Sequence, residues 1–318
     1  MTTIRLADGV SLHCVVDDYL WPWDQPTPVL MMHGFARNST FWNRWAPPIA
    51  ESRRIYRPDL VGCGASDVPS AGYRYTPEKI ESQVLAVFDA LSLRRVHWVG
   101  ESSGGIIGLV LAAAHPERIA SLVLCNTPTR ISDEIRGIYA LDKESTAAAI
   151  RAYGTGAWCR QTLGYRLDLE HASAQLQEWC IAEMDKTRPD IAAALHECFE
   201  AIDVKPLLPT IKTPVLLLSG DKSRIASEQQ KILAETLPNG RLELFAGYGH
   251  GVNLLQPERL HARPLTSGKA SMGSDSESRC TAVFQLAGAT GRSGDGLCPC
   301  IAADRDHGPH RLRRGLAR

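Results

Sequence analysis

The chain has no excess of charge of either sign: across 318 residues, 35 Lys+Arg stand against 35 Asp+Glu. A nucleic-acid or anionic-membrane surface needs a positive field, so this balance argues against a chain-wide one, although a zero sum can hide a local split. Long apolar runs are also missing. Nothing approaches the ~20 consecutive apolar residues that span a bilayer, and the opening MTTIRLADGV lacks the basic start and apolar stretch of a secretory signal. No nucleic-acid or membrane partner is therefore expected, and the protein is expected to be cytoplasmic. The nine cysteines form no CxxC pair and no Cys/His cluster at zinc spacing, so no metal is expected and the thiols read as reduced and mostly buried.

What is present divides the chain into three parts. From Met1 to Thr127, short apolar runs alternate with helical stretches, the pattern of an α/β fold with a mostly parallel sheet. Candidate strands are Ile4–Leu6, Leu12–Val16, Val29–Met32, Arg54–Tyr56, Val96–Val99 and Leu122–Cys125, with helices at Ile80–Leu91 and Ile106–Ala114. Runs such as PVLMM and SLVLC are continuously apolar, as suits strands covered on both faces. From 128 to 206 the strand signal vanishes in favour of helices around Glu134–Ala140, Ala147–Tyr153, Ala172–Met184 and Ile191–Ile202. Tyr139, Tyr153, Trp158, Trp179, Met184 and Phe199 of this part either face a pocket or form the core of a helical cap. Strand and helix alternation returns over 207–261, with Pro214–Ser219, Glu228–Thr236 and Leu242–Phe245. The tail, 262–318, is rich in Gly, Ser and Arg and has no sustained period, so disorder is expected there. The charge balance hides a split: residues 1–261 carry 26 Lys+Arg against 30 Asp+Glu, whereas 262–318 carry nine against five.

The strongest chemical signal is Gly100-Glu101-Ser102-Ser103-Gly104, a G-x-S-x-G between the strand VHWVG and the apolar helix SGGIIGLVLAAAH. A sharp strand-to-helix turn needs very small residues two before and two after its nucleophile. Gly100 and Gly104 satisfy that for Ser102, whereas Ser103 would have Glu101 in one of those places. A serine hydroxyl needs a base, expected late in the chain, and LELFAGYGHGVNLLQPER offers His250 between two glycines. His33, in MMHGF directly after the third strand, is the competing histidine. It is assigned to holding the shape of a loop whose Phe35 backbone N–H joins that of Ser103 in an oxyanion hole.

The ordered set MMHGF, RPDLVGCGASD, GESSGGIIG, PERIASLVLCNTPTRI, TPVLLLSGD and GYGHGVNLLQPERL resembles the α/β-hydrolase fold family over Met1 to about Leu260. Within it, the set is most similar to the branch of 3-oxoadipate enol-lactonase-like and cofactor-free haloperoxidase-like enzymes. The resemblance implies a mostly parallel central sheet with helices on both faces, a helical cap inserted after strand 6, and a small-molecule ester or lactone substrate. It implies no organic cofactor. A nucleophilic Ser speaks against the dehalogenase and epoxide hydrolase activities of this fold, which use Asp. Two further enzymatic readings stay open: a haloperoxidase-like activity, and hydrolysis of a carbon–carbon bond in a vinylogous diketone. Asp59 and Asp67, in RPDLVGCGASD, are read as parts of a structural turn with no proton-transfer role.

Two features depart from the family pattern. The triad acid usually lies three residues after the Gly that ends the seventh strand, where this chain has Ser223; Asp221 comes two residues early. At the alternative site after the sixth strand stands Asn126. Either Asp221 serves through a changed loop path, or Asn126 or Ser223 orients His250 by neutral hydrogen bonds, or the protein is a non-catalytic binder of hydrolase fold. The first reading makes Asp221→Ala the variant that lowers turnover steeply. Arg130, Arg136, Arg151 and Arg160 either bind an acidic substrate or are solvated helix charges. The second departure follows Leu260, where Pro264 and Gly268 interrupt the helix begun by QPERL. The composition beyond it resembles translation of a GC-rich message in another frame.

Overall fold

A computed structural model of the chain describes residues 1–224 and 227–258. The tail, 262–318, and the continuation of the helix begun by QPERL lie outside the described residues. The strands are β1 (Thr2–Arg5), β2 (Ser11–Asp17), β3 (Val29–Met32), β4 (Ile55–Pro58), β5 (Val96–Glu101), β6 (Ile119–Cys125), β7 (Val215–Gly220) and β8 (Gly240–Phe245). They form one sheet in the order β1-β2-β4-β3-β5-β6-β7-β8. β1 and β2 pair antiparallel, as do β2 and β4; from β4 onward every neighbour is parallel. The expected strands are all present, with β1, β4 and β7 displaced by one or two residues at their ends and β6 starting three residues earlier than expected.

Both faces of the sheet are covered, which is why its strands read as unbroken apolar runs. In β3, Leu30 and Met32 join a core with Val84, Phe88, Ile106 and Leu109, while Val29 and Met31 pack with Trp42, Trp45 and Ile49. The helices around the sheet are α1 (Ala46–Ala50), α2 (Pro77–Ala90) and α3 (Ser103–Ala114). α2 starts where Thr76 accepts a hydrogen bond from the Lys79 amide at 3.2 Å, with Pro77 in its first turn, and it buries Ile80, Val84, Val87 and Phe88 as one stripe. α3 is buried nearly all round.

Between β6 and β7 the chain forms α4 (Asp133–Ala140), α5 (Thr146–Tyr153), α6 (Thr155–Thr162), α7 (Ala174–Asp185) and α8 (Pro189–Glu200). α6 escaped the sequence reading because Gly154, at φ 84°, breaks the helical path without ending the helical region. Ser132, Ser145 and Ser173 cap α4, α5 and α7 by accepting from the third helical amide of each. These helices share a core of Ile150, Trp158, Cys159, Cys180 and Met184. The sheet resumes with β7, then α9 (Ser227–Thr236), β8 and the short α10 (Val252–Leu255). Cys14, Cys63, Cys125, Cys159, Cys180 and Cys198 are free and buried. No helix among the described residues is long and apolar enough to cross a membrane.

Candidate active site

The turn from β5 into α3 carries Ser102 at φ 50°, ψ −116°, a conformation that costs a non-glycine residue of order 1–3 kcal/mol. Packing holds it there. A Cβ on Gly100 would overlap the backbone of Gly104 and Gly105, and one on Gly104 would overlap the carbonyls of Met32 and His33. The Ser102 amide donates to the Cys125 carbonyl at 2.9 Å, fixing the turn to the end of β6. Ser103 is the first residue of α3, and its buried hydroxyl has no hydrogen-bond partner among the described residues.

His250 arrives from the loop after β8 and is buried. Its Nδ1 lies 3.3 Å from Ser223 Oγ, and its Nε2 lies 3.6 Å from Glu101 Oε1. No hydrogen bond joins Ser102 Oγ to His250 among the described residues; such contacts are often long before substrate binds. Asp221 stands at the surface, its Oδ1 accepting from the Gly247 amide at 2.8 Å. The loop path thus presents Ser223, and not Asp221, to Nδ1. Asn126, at φ 48°, acts on the loop instead of the ring: its Oδ1 accepts from the amides of Gly251 at 3.2 Å and Val252 at 3.3 Å. The loop is also tied to the helical segment, since the Asp168 amide donates to the His250 carbonyl at 2.9 Å and Asp168 Oδ2 accepts from the Gly249 amide at 2.7 Å.

A buried charge cluster surrounds the imidazole. Glu101 Oε2 lies 3.2 Å from Arg37 Nη1, and both side chains are about 3% exposed. Burial pushes the Glu101 carboxyl up, but Arg37 and then His250 outweigh it, and the carboxyl ends below its ordinary range. Burial lowers His250, with Glu101 opposing that shift. A Cβ on Gly34 would overlap the Glu101 carboxylate, so the glycine of MMHGF makes room for this acid. His33 Nδ1 donates to the Gly34 carbonyl at 2.8 Å, and the Leu60 amide donates to His33 Nε2 at 3.1 Å. Both ring nitrogens are thereby spent on backbone. Asp59 accepts from the amides of Ser39 and Ala65, and Asp67 from the amide of Ser11.

A narrow cavity of about 50 Å³ touches Ser102 and Ser103, and its walls include Phe35, Ile106, Tyr139 and Phe199. Of the aromatic and soft residues singled out in the helical segment, Tyr139 and Phe199 reach it; Trp158 and Met184 are core, and Tyr153 is exposed. Arg130 lines the cavity too, whereas Arg136, Arg151 and Arg160 pair with Asp133, Glu197 and Glu178 at the surface. The sequence reading missed Glu101, Arg37, Arg166 and His196. Glu101 had a signal, as a large acid inside a turn built of small residues. The other three carry none, because their meeting depends on how the helical segment packs over the sheet. Asp168, Glu170 and His171 lie within ligand distance of one another, but Asp168 is already committed to Gly249 and His171.

Residues 27–257 match the family described as the alpha/beta hydrolase fold. A putative carbamate hydrolase, RutD, of Caulobacter sp. strain K31 is 27% identical over 250 residues, covering 76% of this chain and 91% of that protein. A 2-hydroxymuconate semialdehyde hydrolase of Pseudomonas sp. strain CF600 is 40% identical over 100 residues, 30% of this chain and 35% of that protein. Among solved structures, an enol-lactonase from Burkholderia xenovorans LB400 is similar with a TM-score of 0.68 and 25% identity, over 79% of this chain and 94% of that one.

Proposed function

The chain belongs to the alpha/beta hydrolase fold family, and from that premise we propose that it is a serine hydrolase cleaving a carboxylic ester or lactone through an acyl-enzyme on Ser102. The observation that carries this reading is the strained Ser102 turn opening on a cavity, with buried His250 lying 3.6 Å from the side chain of the preceding residue, Glu101. In the first step Ser102 Oγ attacks the carbonyl carbon and its proton passes to His250 Nε2. The backbone N–H groups of Phe35 and Ser103 hold the oxyanion. The imidazolium then gives its proton to the leaving oxygen, and water, deprotonated by His250, releases the acid. Residues 128–206 act as a cap over this site.

Two residues share the usual work of one triad acid. Ser223 meets Nδ1, but a hydroxyl both donates and accepts, so it does not by itself fix the tautomer as an acceptor-only carboxylate does. Glu101 supplies the negative charge: at 3.6 Å from Nε2 it stabilises the imidazolium that forms during attack. Arg37 keeps that carboxylate ionised and in place. Glu101 is therefore a positioning and charge-compensating residue, acting through His250.

The 40% identity over 100 residues to a C–C bond hydrolase supports the second reading, hydrolysis of a carbon–carbon bond at the same serine. Labelling by a fluorophosphonate, compared between the native protein and Ser102→Ala, tests the common core of both. Labelling in the native protein alone is the expected result; no native labelling overturns the hydrolase and leaves the non-catalytic binder, and labelling that persists in the variant removes Ser102. Turnover of short p-nitrophenyl esters against a coloured ring-cleavage diketone then separates the two substrates.

A further inference from the structure

The cavity over Ser102 holds a second histidine, one that the proposed mechanism does not use. His196 lies on α8, three residues before Phe199 and four before Glu200, a spacing that puts all three on one side of the helix. His196 and Phe199 both line the cavity, and His196 is 1% exposed. Its imidazole meets the Phe35 ring edge-on with centroids 5.2 Å apart, and the rings of Tyr139 and Trp158 stand at 6.1 and 6.5 Å. Neither ring nitrogen makes a hydrogen bond among the described residues. A buried polar nitrogen without a partner is costly, so its place on a cavity wall points to a ligand that supplies one.

The two nitrogens are not equivalent. Nδ1 lies 3.2 Å from Glu200 Oε1, one turn along the same helix. Glu200 is held in turn by Arg136, whose Nη2 donates to the Glu200 carbonyl at 2.9 Å and whose Nε lies 4.0 Å from the carboxylate. His196, with Arg136 adding to it, holds the Glu200 carboxyl below its ordinary range against the opposing effect of partial burial. An ionised carboxylate accepts and cannot donate, so in the neutral imidazole the proton is drawn to Nδ1 and Nε2 is left with its lone pair. Nε2 is thus the nitrogen available to a molecule in the cavity, and it is an acceptor.

We propose that His196 Nε2 accepts a hydrogen bond from a substrate hydroxyl, so that the ester or lactone cleaved at Ser102 carries a free alcohol group apart from the bond that breaks. This rests on the assignment of the cavity to a hydrolase site at Ser102 and goes further by naming the substrate class. The substrate O–H donates to Nε2 while Glu200 keeps the imidazole proton on Nδ1, and Phe35, Ile106 and Phe199 enclose the carbon chain. Selectivity comes from exclusion: an analogue with a methyl group in place of the hydroxyl leaves the buried nitrogen unpaired. A site built to pair with a hydroxyl rejects such an analogue far more strongly than an apolar pocket rejects one extra methylene. His196 touches the substrate away from the reacting carbonyl, and Glu200 is a positioning residue that acts through it.

The test uses binding without turnover, in Ser102→Ala at neutral pH. Two pairs of neutral esters, each differing by a hydroxyl against a methyl group, are titrated calorimetrically. Methyl 3-hydroxybutyrate beside methyl 3-methylbutyrate carries the hydroxyl on the acyl part; 2-hydroxyethyl acetate beside propyl acetate carries it on the alcohol part. In at least one pair the hydroxylated ester is expected to bind at least about tenfold more tightly. With His196→Phe added, that preference is expected to vanish or reverse, since the methyl compound is the more apolar ligand. His196→Gln, whose side-chain carbonyl still accepts, is expected to keep part of it. Glu200→Gln, whose amide can donate to Nδ1 and so move the imidazole proton to Nε2, is expected to lower it at least about threefold. Ratios near one in both pairs overturn the subsite, as does an undiminished ratio in a folded His196→Phe or, should that variant fail to fold, in His196→Met. Since no bond is cleaved in these titrations, an absence of fluorophosphonate labelling in the native protein overturns the hydrolase and leaves the ratio to be judged separately.

Discussion

The turn after β5 and the turn after β7 both close buried parallel strands, and the family pattern places triad members on both. They are alike in their glycines: a Cβ at 100 or 104 overlaps backbone at the first, and one at 220 overlaps the Tyr248 and Gly249 carbonyls at the second. They differ at the position of the side chain itself: Ser102 is held at a positive φ by its packed neighbours, whereas the backbone around 223 is tied to the histidine loop by the Lys222 amide donating to the Tyr248 carbonyl at 2.9 Å and by the Asp221 and Gly247 contacts. None of those bonds demands a carboxylate at 223. A residue required by the path of the main chain is fixed by folding, whereas one required only by the reaction is free to change, provided its charge is supplied from elsewhere. In the proposed mechanism that charge comes from Glu101, anchored to Arg37.

The largest effect is expected at Ser102. Ser102→Ala is expected to lower kcat by roughly 10⁴ or more, as removal of a hydrolase nucleophile does, while Ser103→Ala leaves fluorophosphonate labelling in place. Glu101→Gln comes next, with an expected loss of about 10²-fold in kcat/KM, within the range an electrostatic contact of this kind supplies. It also leaves Arg37 buried without its counter-charge, so the melting temperature is expected to fall. The pH profile separates the two effects. Glu101 raises the His250 pKa against the lowering by burial, so its loss moves His250 further down. The base then stays neutral to lower pH, and the acidic limb of kcat/KM shifts downward; an unmoved limb would assign Glu101 to structure alone.

Ser223→Asp places an acceptor-only group at Nδ1. Its expected effect is a rise in kcat of roughly tenfold, a fraction of the ~10⁴ that a triad carboxylate is worth over its amide in a serine protease. A fall in kcat would mean that the site is tuned to the neutral hydroxyl. The smallest effect is expected of Asp221→Ala. Its carboxylate serves the Gly247 amide at the surface, so turnover is expected to stay within about twofold, the scale of an exposed contact remote from the imidazole.

The α/β architecture was legible because apolar run length and the positions of glycine and proline report directly on backbone packing. Gly100, Ser102 and Gly104 were legible for the same reason, and so was His33 as a support for its loop. Asp221 was the natural choice for an acid because charge is visible in a sequence, while the direction of a side chain within a turn is not. Arg166 was invisible among the surface arginines around it, since only the packing of α6 and α7 against each other separates a stranded guanidinium from the solvated ones. Arg160, six residues earlier, illustrates this: it forms a bidentate pair with Glu178 at 2.6 and 2.7 Å in full view of solvent.

Asp168 grips the histidine loop at two adjacent points, through Gly249 and through the His250 carbonyl, and it belongs to the segment joining α6 to α7. The position of His250 is thereby coupled to that of the segment between α6 and α7, so a change of chain path there reaches the imidazole through the backbone of its own loop.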